Sequence, residues 1–364
     1  MAIRDEDFGL WLIQFDPGRP QPQLFAAAAE AAVAAQTMQQ ASAVPWPAAH
    51  RPEPDPPPHA PEDTAPLPQR DVLVVTWTAG EARTLASLLT GGNFDNWFEY
   101  RHNVDAFLPK VTGARAPFND TQNSEARYHH SLGLYYPFKI GSITALAFKS
   151  GLHMAYDGPA MPVVDLWKQI IAETRPKLVI TTGTGGGIGS DVKLGDVLIG
   201  SHVRFDLTSA LKDKPFANTP YSCSAIDEAR VRQLITDQLL KPNGDRLETP
   251  RIPRMIYPSK PQSTVVSTDI FAFDDSTDHY KLQGLGKCCD MGDATLGLAM
   301  TQVGAGAPKW IAIRNASDPQ IPNPDDKISE AHQKGTEIYA RYQCITTAGS
   351  VVASWAVAIA ELGA

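Results

Sequence analysis

Residues 179–189 read VITTGTGGGIG, five glycines in seven positions directly behind a β-branched run. Lacking a Cβ and tolerating positive φ, glycines at this density let backbone come close to a bound ligand or a second strand. The chain then continues as SDVKLGDVLIGSHVRFD (190–206), another extended stretch instead of a long helix. A strand, a glycine-rich turn and a second strand are expected, with either a small ligand at the turn or glycines needed for packing alone. Counting removes two cofactor motifs. The third glycine of G-x-G-x-x-G would fall on Ile188, Ser190 or Val192, and no Gly-Lys-Ser/Thr follows, so a nicotinamide or nucleoside-triphosphate enzyme is disfavoured.

The 364 residues, 43% of them hydrophobic, suffice for a sizeable buried core, and the net charge of −8 argues against duplex nucleic acid or an anionic membrane as partner. Of that charge, −5 lies in residues 1–70, where nine acids face four arginines. Four cysteines (223, 288, 289, 344) form no C-x-x-C, and nothing in them suggests an oxidising compartment. Arg4, Asp5, Glu6 and Asp7 do not resemble the basic start of a cleavable signal. The longest apolar stretch, around 351–360, is interrupted by Ser354 and falls short of a membrane span. A cytoplasmic protein is expected.

Ten prolines in residues 45–68 remove donors and forbid helix, which predicts an extended, solvated linker behind a disordered acidic, Ala/Pro-rich tail, with the folded domain spanning 71–364. From there strands are expected at 72–77, 143–148, 178–182, 196–200, 264–267 and 309–314. Helices are expected at 80–89, 160–174, 226–240, 292–304 and 327–361. The strands are short and continuously apolar, which implies burial on both faces and an α/β fold, a three-layer sandwich with a central mixed β-sheet flanked by helices. Residues 91–140, rich in aromatics, Asn and Asp, break the rhythm and read as an irregular insertion, either a binding loop or a decorated surface.

The residues needed to break a glycosidic bond to a purine are spread over four segments: DVLVVTWTAGEARTL (71–85), STDIFAF (267–273), CCDMGDATLGLAM (288–300) and WIAIRNASDP (310–319). With the glycine run and LGDVLIGSHVRFD, they resemble the nucleoside phosphorylase and nucleosidase superfamily, specifically its methylthioadenosine/S-adenosylhomocysteine nucleosidase branch, over roughly 71–85 and 142–361. The resemblance implies that Asp318, beside Ser317 at the end of a strand, is a general acid that protonates the base, which requires burial to raise its pKa. It implies that Glu81 orients and deprotonates a water, the division of labour used by two-carboxylate glycosidases. Seen alone, Ser-Asp-Pro is also a common turn, and Glu81 is a favourable first-turn acid. Thr184, Gly185 and Gly186 would floor the pocket, Phe271 (or its neighbour Phe273) would stack on the purine, and Met291 would pack under the ribose. Arg204, in the Arg-aromatic pair of the following strand, could bind an anion.

The chain departs from the family at the ribose-binding glutamate, whose position is Gly292. The nearest acid is Asp293, and one residue along a helix rotates a side chain by about 100°. Asp293 can take over only if the helix start is re-registered. No arginines stand where phosphorolytic relatives place them, since Thr78-Ala79-Gly80 and Thr181-Thr182 occupy those places, so hydrolysis is favoured over a phosphate-dependent phosphorylase. Arg101, Arg115, Arg127 and His129–His130 could meet a 5′-phosphate. A non-catalytic nucleoside-binding regulatory protein is the competing class. No metal or other cofactor is expected, the nine histidines showing no H-E-x-x-H. The expected partner is a small purine nucleoside or nucleotide, and the resemblance implies a homo-oligomer.

Overall fold

A computed structural model describes residues 41–92, 94–112, 126, 129–155 and 157–363. The first strands are β1 (Pro52–Pro54), β2 (Val72–Thr76), β3 (Phe98–Tyr100), β4 (Gly133–Ile140), β5 (Ile143–Ser150) and β6 (Leu178–Gly187). They are followed by β7 (Val197–Ile199), β8 (His202–Asp206), β9 (Pro220–Ser222), β10 (Met255–Ile256), β11 (Thr264–Thr268), β12 (Cys288–Asp290) and β13 (Lys309–Asp318). The longer helices are α1 (Ala79–Leu89), α2 (Pro162–Thr174), α3 (Glu228–Leu234), α4 (Asp237–Gly244), α5 (Asp293–Val303) and α6 (Ile328–Leu362).

Side chains alternate across a strand, and here both faces are covered. Val72, Val74, Ile180, Ile311 and Ile313 turn toward α1 and α6. Leu73, Val75, Val179 and Ala312 turn the other way, toward α2 and α5. The result is the expected three-layer α/β sandwich around one mixed sheet, in the order β1-β4-β5-β2-β6-β12-β11-β8-β9, with β13 running beside β6 and β7. Along one side, β6 pairs in parallel with β13 over its length. On the other it pairs in parallel with β2 from Leu178 to Thr181 and antiparallel with β12 at Gly186 and Gly187. Between these two partners, among the described strands, that side of β6 is open, because β2 ends at Thr76 and the chain turns into α1. The gap is where the pocket forms.

Four expectations need correction. The glycine run is not a turn, since Gly183–Gly187 continue β6. The helix expected at 226–240 is broken at Ile235–Thr236, a β-branched pair in extended conformation, into α3 and α4. Within 91–140, residues 133–140 are regular strand, joined to β5 by a tight hairpin in which Gly141 supplies φ +58°. The proline-rich stretch is not solvated linker. There β1 pairs with β4, Leu67 is buried in the core, Trp46 packs on Trp355 with ring centroids 5.1 Å apart, and Trp355 Nε1 donates to the His50 carbonyl at 2.7 Å. The packed structure thus includes residues before Asp71, whereas the expected disorder of residues 1–40 lies outside the described residues.

By length and composition α6 could cross a bilayer, but 89% of its most apolar window is buried inside the fold, against β13, β6 and α1. It is a core helix. The docked segment has a measurable consequence. Trp46→Ala removes a half-buried indole from Trp355 and should lower the unfolding free energy by about 1–3 kcal/mol in urea. An unchanged midpoint would mean that the segment contributes nothing to the fold.

Candidate active site

The T-x-x-E sequence at Thr78–Glu81 forms a capping box: the Thr78 hydroxyl accepts from the Glu81 N–H while the Glu81 carboxylate reaches back to the Thr78 N–H at 2.9 Å. Helix initiation therefore points Glu81 back at the gap in β6. There its Oε1 accepts from the N–H and hydroxyl of Thr184, both at 2.6 Å, and Oε2 accepts from the Thr76 hydroxyl and the Trp77 N–H. A Cβ at 183 would collide with this carboxylate, and Gly183 holds φ +144°, so glycine is required there on both counts. Burial alone would raise the Glu81 pKa. Arg314 and the hydroxyls of Thr184 and Thr76 outweigh it and hold the carboxyl below its ordinary value.

Asp318 lies at the C-terminal end of β13, past an irregularity in the β6–β13 register between Ala316 and Asp318. Its surroundings are the opposite of those around Glu81. Among the described residues Ser317 Oγ is its one donor, at 2.8 Å, while the other carboxylate oxygen faces Gly186. Burial pushes its pKa up to about 6. Glu81 approaches β6 at Gly183 and Asp318 at Gly186, so about 10 Å of strand separates them, room for a sugar and a water.

Between them lies a pocket lined in part by Glu81, Thr184, Gly185, Gly186, Phe271, Met291, Ser317 and Asp318. These eight sequence-selected residues are brought together from five parts of the chain. Phe271, not Phe273, lines the pocket. Two others are not brought there. Asp293 is the first residue of α5, and its carboxylate is held by Arg314, with Nε donating at 2.8 Å. The helix start is not re-registered toward the pocket. Arg204 lies on β8 opposite Val266 and does not line the pocket. Of the cations proposed for a 5′-phosphate, Arg101 is paired with Asp63 and Glu99, and His130 with Asp105. Arg115 and Arg127 lie outside the described residues.

Sequence reasoning missed Arg314, Asp290, Trp77, His153 and Tyr339, all of which line the pocket. Arg314 is buried, binds Asp293 with two of its nitrogens, reaches Asp290 at 3.3 Å and Glu81 at 3.7 Å, and donates to the Thr184 carbonyl at 3.2 Å. Burial works against its charge, but Asp293, Asp290 and Glu81 more than offset this and keep it cationic. Asp290 accepts from Ser267 Oγ and from the N–H groups of Gly292 and Asp293, thereby capping α5. Burial and the neighbouring Asp293 push its pKa up. His153 is pushed down to about 3 by burial, then by Arg314 and Lys149, and is neutral at physiological pH. Among the described residues lining the pocket, Arg314 is the single permanent cation, and it is already engaged by carboxylates.

The phosphorylase superfamily model matches residues 108–343. The chain belongs to the phosphorylase superfamily. No curated protein matches its sequence. Among solved structures it is similar to the Neisseria meningitidis 5′-methylthioadenosine/S-adenosylhomocysteine nucleosidase bound to methylthio-immucillin-A, at 15% identity and TM-score 0.45, over 77% of this chain and 97% of that one. It is similar also to Helicobacter pylori futalosine hydrolase, at 11% identity and TM-score 0.41, over 78% and 97%. A third is the Colwellia psychrerythraea nucleosidase in complex with adenine, at 14% identity and TM-score 0.43, over 79% and 97%.

Removing Arg314 leaves Asp293 buried without its counter-charge. Arg314→Met is expected to cost about 3–5 kcal/mol of unfolding free energy by denaturant titration. Wild-type stability in that variant would show that the network is dispensable.

Proposed function

We propose that this superfamily member hydrolyses the N-glycosidic bond of purine nucleosides or nucleotides, with Asp318 as general acid and Glu81 as the carboxylate that holds the attacking water. The observation that carries the reading is the opposite treatment of two buried carboxyl groups along one glycine strand. Asp318 has one donor and a raised pKa, so it retains a proton to give. Glu81 has several donors and a lowered pKa, so it stays ionised. Pairs of titratable groups pushed apart in this way divide acid from base chemistry.

In the proposed reaction, the purine leaves as its bond to the sugar breaks, and Asp318 transfers its proton to a ring nitrogen so that the base departs neutral. Positive charge develops on the sugar. The ionised Glu81, with Asp293 against the one Arg314, gives this side of the pocket a surplus of negative charge that favours such a cation. Water held by Glu81 then adds to the sugar carbon, and its proton passes to the Glu81 carboxylate, which returns it to solvent. The low pKa of Glu81 makes it a better orienting and electrostatic group than a strong base.

The superfamily to which the chain belongs makes phosphorolysis the second reading. The same charge balance opposes it, because a phosphate dianion would enter beside the ionised Glu81 with no uncommitted guanidinium among the described lining residues to receive it. Release of free base from a panel of purine nucleosides and nucleotides should be unaffected by added phosphate, and a strict phosphate requirement would reverse the assignment.

Two further outcomes are expected. Asp318→Asn should lower kcat by about 10²–10⁴-fold. Because the protonated form of Asp318 and the ionised form of Glu81 are the active ones, kcat/KM should fall about tenfold per unit above about pH 6 and be flat from there down to the acid range in which Glu81 takes up a proton. A profile that rises through pH 6 would remove Asp318 from the acid role.

A further inference from the structure

One wall of the pocket is built by Trp77, Asp290, Met291, Gly292 and Arg314. A Cβ placed on Gly292 would stand 2.9 Å from Cζ2 and 3.0 Å from Cε2 of the Trp77 indole, closer than packed carbons approach. The indole has nowhere to retreat. It is 4% exposed, lies under the Arg314 guanidinium at 4.9 Å and meets Trp167 edge-on at 6.0 Å. Trp at 77 and Gly at 292 are therefore one unit, the ring filling the volume that any side chain at 292 would need.

This exchange alters what the wall offers a ligand. Asp290 is engaged by Ser267, by two α5 N–H groups and by Arg314. Asp293 is engaged by Arg314, and Glu81 by Thr76, Thr184 and the N–H groups of Trp77 and Thr78. A vicinal diol presents two O–H donors and needs acceptors, and on this wall the carboxylate oxygens already have donors. On this wall, among the described residues, the buried side-chain polar atom without a hydrogen-bond partner is a donor, Trp77 Nε1. A buried N–H in a binding pocket is satisfied when a ligand brings an acceptor to it.

We propose that Trp77, seated against Gly292, determines sugar selectivity: its indole N–H donates to one sugar oxygen, and ribo- and 2′-deoxyribonucleosides are accepted about equally. This rests on the nucleosidase reading, which places the sugar between Glu81 and Asp318. The mate of the indole N–H is an oxygen common to both sugars, the ring oxygen or a hydroxyl other than the 2′.

Calorimetric titration of Asp318→Asn protein with adenosine and 2′-deoxyadenosine tests it, because binding is read with turnover suppressed. The two dissociation constants should lie within about fivefold. Adding Trp77→Phe, which keeps an aromatic plane but lacks the N–H, should weaken both by about three- to tenfold without changing their ratio. Adding Trp77→Ala with Gly292→Glu instead empties the indole volume and supplies a carboxylate, and should produce a preference for adenosine of at least about fivefold. Should that double substitution not fold, the Trp77→Phe comparison still decides. Such a preference already present with Trp77 and Gly292 in place, or unchanged affinities in Trp77→Phe, would overturn the proposal.

Base release by the wild-type protein from the same two nucleosides separates the two readings. No release together with undiscriminating binding would overturn hydrolysis and support the sugar inference. Release with a strong preference for ribose in binding would do the reverse, and binding of neither nucleoside would overturn both.

Discussion

The guanidinium of Arg314 is buried on an interior strand, where water cannot balance its charge, and the pocket is arranged around satisfying it. From β13 it reaches Asp293 at the start of α5, Asp290 at the end of β12, Glu81 in the first turn of α1 and the Thr184 carbonyl on β6. Taking an ion out of water costs several kcal/mol, and that cost is offset here only while these elements stay in register. Pocket geometry and folding are consequently one cooperative event. The same network leaves its carboxylates outnumbering the single cation, so the polarity of the site is set before any ligand arrives, as electrostatic preorganisation requires.

Much of the site was legible because its residues sit where secondary structure ends. The capping box that announces α1 also fixes the direction of Glu81, and a strand as apolar as WIAIR delivers the acid that follows it to the rim of the sheet. The buried network was not legible. Arg314 stands inside a hydrophobic strand, which is itself a signal that an acid must come from elsewhere, but its partners lie in three other segments and nothing local names them. Asp293 illustrates the difficulty. In sequence it is one residue from the expected position, yet on a helix that residue turns it from the pocket toward Arg314, while Asp290, two residues on the other side, lines the wall. Trp77 read as the end of an apolar strand, and its fit against Gly292 appears only in three dimensions.

The proline-rich segment failed as a sequence inference for a related reason. Proline density reports missing backbone donors, which is not the same as absence of structure. An edge strand needs donors on one side only, and β1 places Pro52 and Pro54 on either side of Glu53 along β4. Prolines at such an edge also discourage another chain from adding to the sheet. Composition gave the lack of α-helix correctly, the one helical turn there being the 3₁₀ turn Ala48–His50, but Trp46 and Leu67, two large apolar side chains in that stretch, are the better guide to where it goes.

All thirteen described strands precede α6 in the chain, and α6 covers the face formed by Val72, Val74, Ile180, Ile311 and Ile313. During synthesis α1 is already made, but the part of that face under α6 stays open until this helix emerges from the ribosome. The nascent chain therefore carries an apolar sheet face only partly covered by α1 and then a long apolar helix, each of which loses its exposed surface by meeting the other. The order in which the polypeptide is made thus separates the synthesis of the sheet from that of the helix that finishes its core, and the interval between them is the aggregation-prone one.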